Sequence, residues 1–110
     1  MSAPAVTPST SRSEVVARLR KHYPDLASRF KVSSLALFGS FAREEQTPAS
    51  DVDLLVSFSE PVGFAFIHLA DHLADHLETL LGRRVDLVAS DGIKENRRTS
   101  ILSSGIHVAP

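Results

Sequence analysis

The chain of 110 residues contains no cysteine and no tryptophan. Disulfides, thiolate metal sites and cysteine nucleophiles are thereby excluded, and a reducing compartment suits such a sequence. A basic excess is also missing: 12 Lys and Arg stand against 13 Asp and Glu, for a net charge of −1. A protein that grips nucleic acid by its phosphates normally carries surplus positive charge, so direct nucleic-acid binding is not expected. The six phenylalanines lie in apolar contexts rather than among lysines and arginines, which fits core packing and not base stacking. Apolar runs are only a few residues long, so neither a transmembrane helix nor a membrane partner is expected. Residues 1–10 have neither a basic start nor an apolar centre. They do not read as a secretory signal, and a cytoplasmic location is the expectation. No Ser-His-Asp arrangement appears, which leaves covalent hydrolysis without a nucleophile.

What remains is a chain with 43% hydrophobic residues, enough for one small domain with a single core. Residues 1–10, rich in Pro, Ser, Thr and Ala, read as a disordered tail, with the domain over 11–110. Ser11 with Glu14 three residues later predicts a capped helix start. Val15, Val16, Leu19 and Tyr23 form its apolar stripe, Pro24 is expected to end it, and Leu26 and Phe30 predict one more helical segment. Strands are predicted over about Val32 to Phe38, Asp51 to Phe58 and Arg84 to Ala89. A long amphipathic helix, Phe64 to Leu81, separates the second strand from the third, with Phe66, Leu69, Leu73, Leu77 and Leu80 on one face. A crossover of that length makes those two strands parallel, whereas the short link between the first two favours an antiparallel pair. A last helix should run from Ser90 or Asp91 to about Gly105, and Ile106 to Val108 could add a short edge strand. The class is α/β in the α+β sense: a small mixed three-stranded sheet flanked by about four helices.

The stretch that carries chemistry is Leu35 to Val56. An apolar strand ends in Gly39-Ser40, where glycine permits a tight turn and a short helix can begin. Backbone N–H groups at such a start favour an anion, most naturally a phosphate. Arg43 follows closely enough to be a second phosphate contact. Asp51 and Asp53 then open the next strand two residues apart, so both carboxylates leave one face about 7 Å from each other. At an effective dielectric near 20 their repulsion is roughly 2 kcal/mol, a cost that a divalent cation would reverse. One or two carboxylates completed by water and phosphate oxygens describe a magnesium site, and Asp86 in the third strand is a third candidate ligand.

Together, Gly39-Ser40-Phe41-Ala42-Arg43 and Ser50-Asp51-Val52-Asp53-Leu54, with Arg83-Arg84-Val85-Asp86-Leu87-Val88, resemble the signature of minimal nucleotidyltransferases of the DNA polymerase beta superfamily. The likeness extends from about Ser11 onward, and the distance from Gly39 to Asp51 matches that family's spacing. Such proteins usually read ARG after the turn, where this chain has Arg43 followed by Glu44, a residue strained if its φ is positive. The resemblance implies the polymerase beta-like fold, with Asp51, Asp53 and Asp86 as catalytic and Mg2+-binding residues. It also implies Gly39, Ser40 and Arg43 on the phosphates, and ATP as donor. Bare domains of this size resemble the antitoxin of a toxin–antitoxin pair whose partner is a HEPN ribonuclease. The reaction so implied is AMP transfer to a tyrosine of that toxin. Two other readings stand beside it: a non-catalytic antitoxin acting by occlusion, and a subunit of a small-molecule adenylyltransferase.

Elsewhere, His68, His72 and His76 recur every four residues in the third helix, a spacing that can share a transition metal. Opposite the leucine stripe they read as a solvated face. Lys94, Arg97 and Arg98 cluster in the last helix, where they could attract a triphosphate or an acidic partner.

Overall fold

The computed structural model describes residues 9–59, 65–90 and 95–109. In chain order they form α1 (Arg12–Phe30), β1 (Val32–Phe38), α2 (Gly39–Ala42), β2 (Val52–Phe58), α3 (Ala65–Leu81), β3 (Val85–Ala89), α4 (Glu95–Ser104) and β4 (Ile106–Ala109). The strands make one sheet in the order β3-β2-β1-β4. β1 pairs antiparallel with both β2 and β4, and β2 pairs parallel with β3. The mixed sheet therefore has four strands rather than three. Ile106–Ala109 completes it because the short turn after α4 returns the chain along the free edge of β1, where Leu35, Ala36 and Leu37 find ladder partners.

Alternation along the strands divides the sheet into two unequal faces. Leu35 and Leu37, Val52, Leu54 and Val56, and Val85 and Leu87 all belong to one cluster with α1 and α3, in which Leu19, Leu26, Leu73 and Leu77 are fully buried. Ala36, Leu55 and Ile101, with Phe38 and Val88 beside them, form a much smaller cluster on the other face. The helices α1 and α3 thus cover one side of the sheet with the main core, as the leucine stripe of α3 dictates.

Two expectations require correction. α1 does not stop at Pro24 but continues through it to Phe30. A proline inside a helix costs about 3 kcal/mol and leaves a carbonyl without its partner. Pro24 is exposed, so water can reach that carbonyl, and the buried Leu26 and Phe30 in the following turn offset the loss. The second correction concerns the start of the chain. Ser9, the penultimate residue of the stretch read as a tail, is fully buried, and its N–H and hydroxyl both donate to Leu81 O, at 2.9 and 3.0 Å. Residues 1–8 lie outside the described residues, as do the connection containing Pro61 and Gly63, and also Asp91 and Lys94. The Ser11 cap forms as expected, accepting from Glu14 N–H at 3.1 Å.

Candidate active site

β1 ends on Phe38, which stands opposite Asp53 in the antiparallel register. The next residue therefore turns directly across the Asp53 side chain. Gly39 makes that turn at φ +74°, and a Cβ on it would lie 2.1 Å from Asp53 Oδ2 and 2.9 Å from its Cγ. Only glycine tolerates both the left-handed backbone and the close approach. Ser40 follows in α2, a single helical turn anchored by the fully buried Phe41. The N–H groups of Arg43 and Glu45 return to Gly39 O and Ser40 O, at 3.2 and 2.8 Å, and close the turn.

On the sheet, Asp53 of β2 is in register with Asp86 of β3. Asp53 is half-buried and Asp86 exposed. Both stand on the lightly covered face, because their neighbours Val52, Leu54, Val85 and Leu87 point into the main core. Burial raises the pKa of Asp53 above its ordinary value, and the negative charges of Asp86 and then Asp51 raise it further. Arg43 opposes the shift by its positive charge, and a hydrogen bond shared with Asp86 favours the protonated form. Asp53 is thus the point on which the Gly39-Ser40 turn, Arg43 and both other aspartates converge.

Asp51 stands one residue ahead of β2 and is exposed. It is near enough to act on Asp53 through its charge, yet among the described residues no three acidic or histidine side chains already stand around a single metal position. The structure brings Asp53 and Asp86 together and leaves Asp51 at the rim of a groove of about 480 Å³, between residues 48–50 and Gly82, Arg83 and Arg84. The donor set is all carboxylate oxygen, which suits a hard divalent cation that also keeps water and phosphate ligands.

Glu44 has φ +58°, so the glutamate at the position where the resembled signature has glycine does occupy the left-handed region. Its carboxylate lies 3.4 Å from Arg12, with the Glu44 side chain largely in solvent and that of Arg12 36% exposed. An exposed ion pair contributes at most a few tenths of a kcal/mol to about 1, whereas a left-handed non-glycine residue costs about 1–2 kcal/mol. Glu44→Gly is therefore expected to be neutral to stabilising, by up to about 1 kcal/mol. Chemical denaturation would show a higher midpoint at unchanged m-value; a midpoint clearly below wild type would mean the Arg12 contact outweighs the strain.

The remaining candidates are peripheral. His68 and His72 are exposed, in keeping with a solvated face. His76 departs from it: it is half-buried, with its ring 5.3 Å from that of Phe30 and Nε2 3.7 Å from Asp25. Arg97 is exposed on α4, while Lys94 and the side chain of Arg98 are outside the described residues. Sequence reading missed the arginines behind the site. Arg12 donates to Ala42 O at 3.0 Å, and Arg83 donates to the carbonyls of Ser9, Pro48 and Ser50. Guanidinium groups bound to backbone carbonyls have no sequence signature, because every residue offers that acceptor.

Residues 19–108 match the family model described as the nucleotidyltransferase domain. A candidate protein adenylyltransferase of Methanocaldococcus jannaschii is 49% identical over 83 residues, covering 74% of this chain and 81% of that protein. The protein adenylyltransferase MntA of Thermococcus cleftensis is 38% identical over 96 residues, covering 86% of this chain and 93% of its own. A solved structure described as a minimal nucleotidyltransferase candidate superposes with a TM-score of 0.72 at 34% identity, covering 88% of this chain and 95% of that one. The fold is also that of an MNT antitoxin solved in complex with a tri-AMPylated Shewanella oneidensis HEPN toxin. That match has a TM-score of 0.54 at 21% identity and covers 88% of this chain and 67% of the other.

Proposed function

The chain belongs to the nucleotidyltransferase domain family, and from that premise we propose that it transfers AMP from ATP to a hydroxyl of a partner protein. The partner is a HEPN ribonuclease toxin, the acceptor one of its tyrosines, and the chain acts as the antitoxin. The observation that carries the reading is the contact of the Gly39 turn with Asp53, whose carboxylate is in register with that of Asp86. A phosphate-binding turn and a pair of mutually repelling carboxylates meet at one point. Relatives named protein adenylyltransferases, and the AMPylated toxin in the Shewanella oneidensis complex, support the choice of a protein acceptor.

Asp53 and Asp86 would hold magnesium, with Asp51 as the third carboxylate. When bound, the metal supplies positive charge that stabilises the attacking and leaving oxygens of an in-line displacement. The chain's own groups do the rest. N–H groups of the Gly39-Ser40 turn bind the outer phosphates, and Arg43 adds a charge-assisted contact. The acceptor oxygen forms a bond to the α-phosphorus as the bond from that phosphorus to the bridging oxygen breaks. Pyrophosphate leaves, and the hydroxyl proton passes to the Asp86 carboxylate, the more exposed of the pair. The groove beside Asp51 gives the acceptor segment a way in.

The experiment combines a trace of the protein with excess partner, α-labelled ATP and magnesium, the partner being the product of a neighbouring gene with an R-x(4–6)-H ribonuclease motif. Label on the partner, an added AMP mass and loss of ribonuclease activity at substoichiometric dose are expected. The Asp51→Asn, Asp53→Asn double variant should bind the partner without silencing it at that dose. Inhibition that follows stoichiometry, ignores ATP and survives the double substitution would instead establish occlusion.

A further inference from the structure

We propose that Arg83 is a positioning residue: its guanidinium sets where Asp51 stands relative to the Asp53–Asp86 pair. The inference rests on the reading of Asp51 as a metal ligand.

Asp51 itself has no place in the β-ladder, which begins at Val52. It is presented by the loop of residues 45–50, whose internal bonds shape only its own tip. Ser50 N–H donates to Thr47 O at 3.0 Å, Thr47 N–H to Ser50 Oγ at 2.8 Å, and Ala49 N–H to Thr47 Oγ1 at 3.3 Å. None of these fixes the loop to the domain. Glu45 N–H to Ser40 O and Gln46 Nε2 to Thr10 O, at 2.8 and 3.1 Å, hold its start, and Arg83 holds the end next to Asp51. One of its terminal nitrogens donates to Pro48 O at 2.9 Å and to Ser50 O at 3.3 Å, the carbonyl immediately before Asp51. Its Nε donates to Ser9 O, so the same group also catches the segment that Leu81 O holds through Ser9. The guanidinium carbon lies 5.2 Å from the ring centre of Phe41, the fully buried anchor of the phosphate turn.

One planar cation therefore joins α2, the Asp51 loop, the segment ahead of α1 and the entry to β3. All three of its acceptors are neutral carbonyls, so it leaves the negative charge of the site intact. Arg83 precedes Asp86 by three residues, so the segment that delivers the third carboxylate also fixes the first. A lysine cannot take this role, because a single tetrahedral ammonium cannot span separated carbonyls while lying flat on a ring.

The test is Mn2+ binding, followed by electron paramagnetic resonance of the free ion, on the full chain without nucleotide or partner, well below the melting temperature. Asp51→Asn is the control. Arg83→Ala should bind Mn2+ about tenfold more weakly, the loss typical of removing a group that orients a ligand. Arg83→Lys should not restore the affinity, while low-millimolar guanidinium should restore it in Arg83→Ala and do nothing for Asp51→Asn. A general loss of folding would not be repaired by a small cation. Weak binding in Asp51→Asn with wild-type binding in Arg83→Ala would overturn the positioning role and leave the ligand reading standing. Wild-type binding in Asp51→Asn would remove the ligand reading, and this inference with it. Should Arg83→Ala fail to fold, Arg83→Lys decides: a tenfold loss supports the assignment, and wild-type affinity overturns it.

Discussion

Replacing Asp53 by asparagine should lower AMP transfer about a thousandfold while raising the melting temperature of the metal-free protein. The two effects have one cause. Asp53 stands beside Asp86 and within reach of the charge of Asp51, and burial and both neighbours disfavour it as an anion. A metal ligand that stabilises charge in the transition state contributes several kcal/mol, and each 1.36 kcal/mol is tenfold in rate. Without metal the same charge is a liability. Because the pKa of Asp53 is raised on folding, the folded chain binds more protons than the unfolded chain between the ordinary and the raised value. Stability therefore falls as pH climbs through that window. Asp53→Asn lacks this fall, so its advantage should be absent in acid and open toward neutral pH. Solvent screening at this partly exposed site keeps the advantage small. Magnesium should reverse the order by stabilising only wild type. Thermal scans at several pH values, with and without magnesium, test all of this. Near-wild-type transfer by Asp53→Asn would remove Asp53 from the chemistry.

Gly39→Ala should be the most damaging single methyl group in the chain. It combines a left-handed backbone, costing about 1–2 kcal/mol, with a Cβ placed 2.1 Å from Asp53 Oδ2. Overpacking of that kind typically adds 1–3 kcal/mol, so a loss of about 2–5 kcal/mol is expected. Asp53 must also move, so transfer should fall with stability and should not recover on cooling. The clash predicts its own remedy. In an Asp53→Ala background Gly39→Ala should cost the backbone term and only a slight squeeze against the Cβ of residue 53, 3.2 Å away, and denaturation of the four proteins of this cycle measures the difference as coupling. Additive losses would show that the two residues do not interfere.

Much of this site is legible in sequence because period-two alternation is a strong code. Val52-Asp53-Leu54 and Val85-Asp86-Leu87 each place a carboxylate on one face and two core residues on the other, and a crossover helix of α3's length brings such strands together in parallel. Gly39 is legible for a similar reason, since the end of a strand before a short helix needs a backbone only glycine adopts freely. The misses have physical causes as well. Pro24 was read by its local cost, which tertiary burial of Leu26 and Phe30 overrides. Ser9 belongs to a polar stretch, and nothing local reveals that Leu81 O awaits it. Arg83 acts through backbone carbonyls that carry no residue identity. Asp51 follows a loop that is tied to the domain by residues distant in sequence, Thr10 and Arg83.

The two unequal faces of the sheet make this domain unusually sensitive to reading frame within a strand. Over Val52, Asp53 and Leu54 the faces alternate, so substitution of Leu54 strikes the core and substitution of Asp53 strikes the proposed site. Deleting one residue inside β2 is worse than either. It would exchange the two sets, turning a carboxylate into the packed layer and a leucine toward the lightly covered face. Lineages of such a domain should therefore keep their β2 count fixed.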